Sequence, residues 1–262
     1  MITSKTNPKF KLLQDLAERK HRDVSGLMLV EGAQEIALAL KHGHKIYGSF
    51  LCPDRISSGT DRELAQQLNE CHPKPLEFDE QLFSKLTYMA TSSALLAIKQ
   101  PKRSLSSLSL GNKSFVLVVV GIEKPGNLGA LVRTADAVGT TAVMVADKHI
   151  DPWNPNALRG SRGSLLSIPI IEGSSADTLA WLRKSSFHIY TADAHRGDNL
   201  FETKFKFPCA LVMGSEKTGL SEAWKSASLI PLRIPMREGL DSLNVSVAAG
   251  VMMYRIYQSN AL

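Results

Sequence analysis

Residues 234–256 read IPMREGLDSLNVSVAAGVMMYRI. Leu229, Ile230, Leu232 and Ile234 lead into this stretch and predict a strand that closes at Pro235. Gly239 and Asp241 mark a turn. Val245, Ala248, Ala249, Met252 and Ile256 then recur at helical spacing, so one face of a helix is buried. Ser242 is placed to cap that helix, with Asn244 in its first turn. Strand, turn and capped helix together are a unit of an α/β sheet, and ligands of such sheets bind beyond the strand ends. On Ser242 and Asn244 alone, an ordinary capped helix is the better account, because such caps are common.

Two earlier stretches have the same plan. Residues 116–139 read VLVVVGIEKPGNLGALVRTADAVG, and residues 211–220 read LVMGSEKTGL. Each predicts a buried strand, a glycine-containing loop and a helix. With the C-terminal stretch, their order and content resemble the SpoU/TrmH family of RNA ribose 2′-O-methyltransferases. The resemblance rests on Asn127, Gly129, Arg133, Thr134 and Ala135 in the first motif, and on Gly214, Glu216, Gly219 and Leu220 in the second. The third motif matches at Ile234, Pro235, Met236, Ser242, Leu243, Asn244 and Val245. Lys217 stands where the family often has a small residue, and Gly239 sits one place later than the usual glycine.

Strand and helix alternate throughout residues 114–262, which by pattern alone suggests a Rossmann-like winding. The resemblance implies instead an α/β domain with a trefoil knot formed by the C-terminal segment. It also implies S-adenosylmethionine as cofactor, lying across the loops around Gly214, Ile234, Met236 and Leu243. It assigns Arg133, Asn127, Glu216, Ser242 and Asn244 to the active site. A guanidinium does not readily lose a proton, so fixing a phosphate or stabilising an alkoxide suits Arg133 better than acting as base. Glu216 suits positioning, accepting hydrogen bonds from Asn127 or from loop N–H groups. A homodimer through the C-terminal domain is implied as well. The final helix gives that some physical support, being apolar over more than one face. Either an earlier helix such as 127–138 or a partner subunit would cover its second side.

Upstream, residues 1–22 carry Lys5, Lys9, Lys11, Arg19, Lys20 and Arg22 against Asp15 and Glu18. Asn7-Pro8 starts a helix with Phe10, Leu13, Leu16 and Ala17 on its apolar side. This is either a solvated helix face or an RNA-contacting arm that uses Lys5, Lys9, Arg19, Lys20 and Arg22. Strands are predicted at 27–31, 45–51, 75–78 and, as an edge, 95–99; helices at 32–40, 61–71 and 80–86. This reads as a smaller α/β domain, residues 1–104. Arg19-Lys20, Arg22 and Val30-Glu31-Gly32 resemble a substrate-binding domain, related to a ribosomal RNA-binding protein, that many family members carry. Glu31 could hold a basic residue, an RNA group or a plain structural contact. Residues 105–113, within the Ser-rich run 101–113, form a linker.

The whole chain agrees with a soluble, cytoplasmic RNA enzyme. It has 262 residues, a net charge of +6 and a pI near 9.2, which suits an anionic partner without requiring one. Cys52, Cys71 and Cys209 have no C-x-x-C spacing, and His21, His149 and His195 have no ligand spacing, so no metal site is expected. No membrane-spanning run or signal core is visible. A dinucleotide fingerprint is absent. The resemblance, with its N-terminal substrate-binding domain, implies 23S rRNA as the substrate. Transfer RNA, or a non-catalytic role in ribosome assembly on the same fold, are the alternatives.

Overall fold

The computed structural model describes every residue except 148–149, 226–228, 240 and 262. The chain forms two compact units: Met1–Pro101 with Trp153–Leu158, and Lys102–Pro152 with Arg159–Leu262.

In the first unit, Asn7 caps α1 (Pro8–Asp15), accepting the Lys9 N–H at 2.8 Å, and Pro8 sits at the first helical position where no donor is needed. Phe10, Leu13 and Leu16 are buried among Phe50, Phe78 and Phe83. Then follow α2 (Arg19–Ser25), β1 (Leu27–Glu31), α3 (Ala33–Lys41), β2 (Ile46–Leu51), α4 (Gly59–Glu70), β3 (Leu76–Glu77), α5 (Glu80–Phe83) and β4 (Ala94–Lys99). The sheet order is β1-β4-β2-β3, with β4 antiparallel to both of its neighbours. The strand expected at an edge is therefore interior. The run Ala94–Ile98 is buried along its whole length, as an unbroken apolar strand requires.

The second unit contains β5 (Phe115–Val120), α6 (Pro125–Ala137), β6 (Ala142–Ala146), β7 (Ile170–Gly173), α8 (Ser175–Lys184), β8 (His188–Ala192), β9 (Asp198–Asn199), β10 (Cys209–Met213), β11 (Ile230–Arg233) and α9 (Val245–Ala261). The intervening helix α7 (Pro155–Ser161) spans the boundary between the units. Seven strands form one parallel sheet in the order β7-β6-β5-β10-β8-β11-β9. The late strand β10 is seated between two earlier ones, Leu211 pairing with Leu117 of β5 and Tyr190 of β8. Val116, Val118 and Val120 pack with Leu179 and Leu182 of α8, while α9 packs on α6 and β10.

Three local features qualify the sequence pattern. Apolar residues begin at Leu165, but the strand begins at Ile170; Ser164–Leu166 is a turn of 3-10 helix, and Pro169, which has no N–H for a ladder, precedes the strand. Glu222–Trp224 is a single 3-10 turn. Within residues 105–113, Leu105 and Leu108 pack against the sheet core, and Lys113 Nζ donates to the Asn260 carbonyl at 2.9 Å.

Candidate active site

The loop after β10 turns back on its own stem. A Cβ at Gly214 would lie 2.5 Å from the Gly219 carbonyl carbon and 2.8 Å from the Leu220 nitrogen. The chain's own backbone therefore requires glycine here. Ser215 and Gly219 exchange both backbone hydrogen bonds, at 3.1 and 3.0 Å. The hairpin presents Glu216. Its Oε1 accepts from Asn127 Nδ2 at 2.8 Å and from Asn244 Nδ2 at 3.0 Å, while Lys124 Nζ stands 3.6 Å from Oε2. One carboxylate therefore joins the three sequence motifs. A second link between the same loops is the exposed Lys217–Glu123 pair at 2.9 Å, and Glu123 raises the Lys217 pKa above the usual amine value.

The helix cap differs from the expected one. Helix α9 begins at Val245, and Asn244 fills the capping place: its Oδ1 accepts the Ser246 N–H at 3.0 Å and its carbonyl accepts the Ala248 N–H. Ser242 is left exposed and forms no hydrogen bond with a described residue.

A cavity of about 1100 Å³ opens at the carboxyl ends of β8, β10 and β11, the place where open parallel sheets bind ligands. Gly214, Glu216, Ile234, Met236, Ser242, Leu243 and Asn244 all line it. Asn127 reaches its rim only through Glu216, and Arg133 is not among the lining residues. Arg133 is exposed on α6, with no ion pair or hydrogen bond to any described residue. Two parts of the wall escaped sequence reasoning. Lys124 is one. The other is the turn after β8, where Asp193 Oδ1 accepts the N–H groups of His195 and Arg196 at 2.8 and 2.9 Å. An Asp and a Gly following an apolar strand in TADAHRG was the available signal.

The other candidates are not among the lining residues or carry no chemistry. Among the described residues no group of three or more His, Cys, Asp or Glu could hold a metal; His149 lies outside them. Burial pushes the Cys209 thiol up to about 12, far from a reactive thiolate. The basic N-terminal residues belong to the first unit. There Lys9 bonds Tyr47 at 3.2 Å, Arg19 pairs with Asp23 at 3.4 Å, Lys20 pairs with Glu18 at 2.9 Å, and Lys5 is exposed. Arg22 is not an RNA-contacting residue. It is 1 % exposed, and its Nη1 donates to the carbonyls of Leu16 and Ala17, both at 2.7 Å, closing the end of α1. Residues 1–101 hold thirteen Lys and Arg against twelve Asp and Glu, so most of the chain's positive excess lies beyond them.

Comparison with known proteins agrees with this arrangement. Residues 7–97 match the MRM3-like substrate binding domain. The chain is 28% identical over 256 residues to the 23S rRNA (guanosine(2553)-2′-O)-methyltransferase of Bacillus subtilis, covering 97% of this chain and 98% of the relative. It is also 28% identical to the 23S rRNA (uridine(2479)-2′-O)-methyltransferase of Streptomyces viridochromogenes, covering 97% of this chain and 90% of the relative. Among solved structures, an AdoMet-bound rRNA methyltransferase from Sinorhizobium meliloti superposes with a TM-score of 0.88 at 26% identity, over 98% of this chain and 97% of that one. Residues 114–254, which carry the Glu216 network and all of the cavity's lining residues, match the SpoU rRNA Methylase family, and the chain belongs to that family.

Proposed function

We propose that the protein is an S-adenosylmethionine-dependent ribose 2′-O-methyltransferase acting on 23S rRNA. The observation that carries this reading is the meeting of Asn127, Glu216 and Asn244 at the rim of a cavity on the strand ends. The full-length relatives that act on 23S rRNA add to it. The cavity's residues fit the cofactor. Ile234, Met236 and Leu243 offer apolar surface for a purine, and the Asp193 carboxylate, engaged by its turn through Oδ1 alone, suits a cationic ligand. When bound, the cofactor supplies a methyl group on sulfonium, an electrophile.

The work is divided among the chain's own residues. Ile234, Met236 and Leu243 hold the cofactor, and Gly214 keeps the hairpin folded that forms part of its wall. Glu216, Asn127 and Asn244 fix the three loops in register, so that donor and acceptor meet at one place. Asn244 is a positioning residue, because its amide is shared between Glu216 and the start of α9. Ser242, whose hydroxyl has no partner among the described residues, can orient the ribose hydroxyl. Arg133 has a permanent charge and no protein partner among the described residues. It binds the target's phosphate or stabilises the developing alkoxide.

A homodimer through α9 belongs to the same proposal. Val247, Tyr254 and Tyr257 are exposed on that helix although α6 covers another of its sides. The knotted fold finds support in β10, seated late between β5 and β8. The cytoplasm, where ribosomal RNA substrate lies, is the compartment proposed; among the described residues no helix is long and apolar enough to cross a membrane. The test is transfer of tritium from methyl-labelled S-adenosylmethionine to transcribed 23S rRNA, followed by digestion to nucleosides. Label in a 2′-O-methylnucleoside supports the reading. Label on a base, or on transfer RNA alone, removes it. Sedimentation of the active protein at micromolar concentration tests the dimer, which a methylating monomer would exclude.

A further inference from the structure

In the first unit, the loop from Ser84 to Ser93 is held on every side. Both oxygens of Glu31, at the end of β1, accept its backbone N–H groups, from Tyr88 at 3.1 Å and Met89 at 2.8 Å. Arg55 Nη1 donates to Thr87 Oγ1 at 3.2 Å and to the Ser92 carbonyl at 3.4 Å. The Leu86 and Thr87 N–H groups return to the Phe83 carbonyl, and Ser92 N–H to that of Met89. Gly32, next to Glu31, has a φ of +100°, and a Cβ there would meet the Glu35 carboxylate first and Met89 Cε second. Yet the loop's largest side chain, Tyr88, is 75 % exposed. A loop fixed this firmly loses little conformational entropy on binding, and a displayed aromatic on it offers a prepared π-face.

The surroundings indicate what that face receives. Lys85 precedes Tyr88 by three residues, and the neighbouring Lys5 amine pulls the Lys85 pKa below the usual amine value. Two ammonium groups placed together suit an anion, such as a backbone phosphate. The unit as a whole is close to neutral, so a general polyanion-binding surface is a poor description of it. An aromatic with a local pair of amines matches the combination that single-stranded nucleic acids require.

We propose that Tyr88 is a stacking platform for an unpaired base of the substrate RNA, with Lys5 and Lys85 holding the adjoining phosphate. This rests on the reading of the protein as an RNA methyltransferase and names where its first unit grips the substrate. The test uses the full-length chain, wild type and the variants Tyr88→Ala, Tyr88→Phe and the double variant Lys5→Ala/Lys85→Ala. The probe is transcribed 23S rRNA in filter binding over a series of KCl concentrations, with S-adenosylmethionine affinity measured calorimetrically in parallel. Stacking of one base predicts at least about a fivefold loss of RNA affinity for Tyr88→Ala, with the salt dependence unchanged. Tyr88→Phe should bind as wild type, and the double lysine variant should show a shallower salt slope. Cofactor affinity should be the same in all four. RNA affinity unchanged in Tyr88→Ala overturns the proposal, as does a loss matched by an equal loss of cofactor affinity, which would report a damaged fold. Should wild type bind 23S rRNA through Tyr88 but fail to methylate any RNA, the enzymatic reading fails while the platform stands.

Discussion

Glu216 has its carboxylate committed: Oε1 to two amides and Oε2 toward Lys124. A general base needs a free lone pair aimed at the substrate hydroxyl, which favours positioning over proton abstraction. Glu216→Gln removes only the charge facing an exposed lysine, a loss of roughly 0–1 kcal/mol. Steady-state methyl transfer should therefore fall by less than about tenfold; abolition would make Glu216 the base. Arg133 is the opposite case, a permanent charge with no described protein partner. Removing a group that stabilises developing charge costs about 10²–10³ in rate. Arg133→Ala should lose that much turnover while calorimetry finds S-adenosylmethionine binding intact, because the residue is not part of the cavity wall. Full activity would take Arg133 out of the reaction.

At the scale of elements, α4 shows how local chemistry sets a pH response. Ser58 N and Oγ donate to Asp61 Oδ2 at 3.1 and 2.6 Å, and Ser93 Oγ donates to Oδ1 at 2.7 Å. These bonds, the Ser58 hydroxyl first, hold the Asp61 carboxyl below its ordinary 3.8. A depressed folded-state pKa contributes stability above 3.8 that is lost as pH falls through the folded value. Asp61→Ala should thus destabilise the protein more at pH 7 than at acid pH, where the carboxyl is protonated in both states, read from urea unfolding at both. An equal deficit at both values would assign the effect to packing. The same elements show what sequence can reveal. The strands β5, β6 and β10 were legible because unbroken apolar runs suit a parallel sheet covered on both faces. Helix α2 was not, because the residue it buries is Arg22, which breaks the apolar period. The interior place of β4 was hidden because strand order is a long-range property. At the site, Asn127, Glu216 and Asn244 could be chosen from their motifs. The capping role of Asn244 and the self-packing of Gly214 needed the loop geometry.

At the scale of the molecule, the chain divides into two units near residue 101, and Leu105 and Leu108 pin the 105–113 stretch to the second unit. Limited trypsin digestion should therefore cut first at the exposed Lys102 or Arg103, leaving that packed stretch with the C-terminal fragment. Early cleavage at Lys113 would contradict that anchoring. The near-neutral first unit also argues that much of the salt-sensitive affinity for RNA resides in residues 102–262, with eighteen Lys and Arg against thirteen Asp and Glu. All of this presupposes that the cavity methylates a ribose of 23S rRNA. The most direct test is to map every 2′-O-methyl group in total RNA from cells with and without this protein. One 23S rRNA nucleotide should lose its ribose methyl group in the deletion and regain it with the wild-type chain but not with Arg133→Ala. An unchanged 23S map, or a mark lost from transfer RNA instead, would contradict the account.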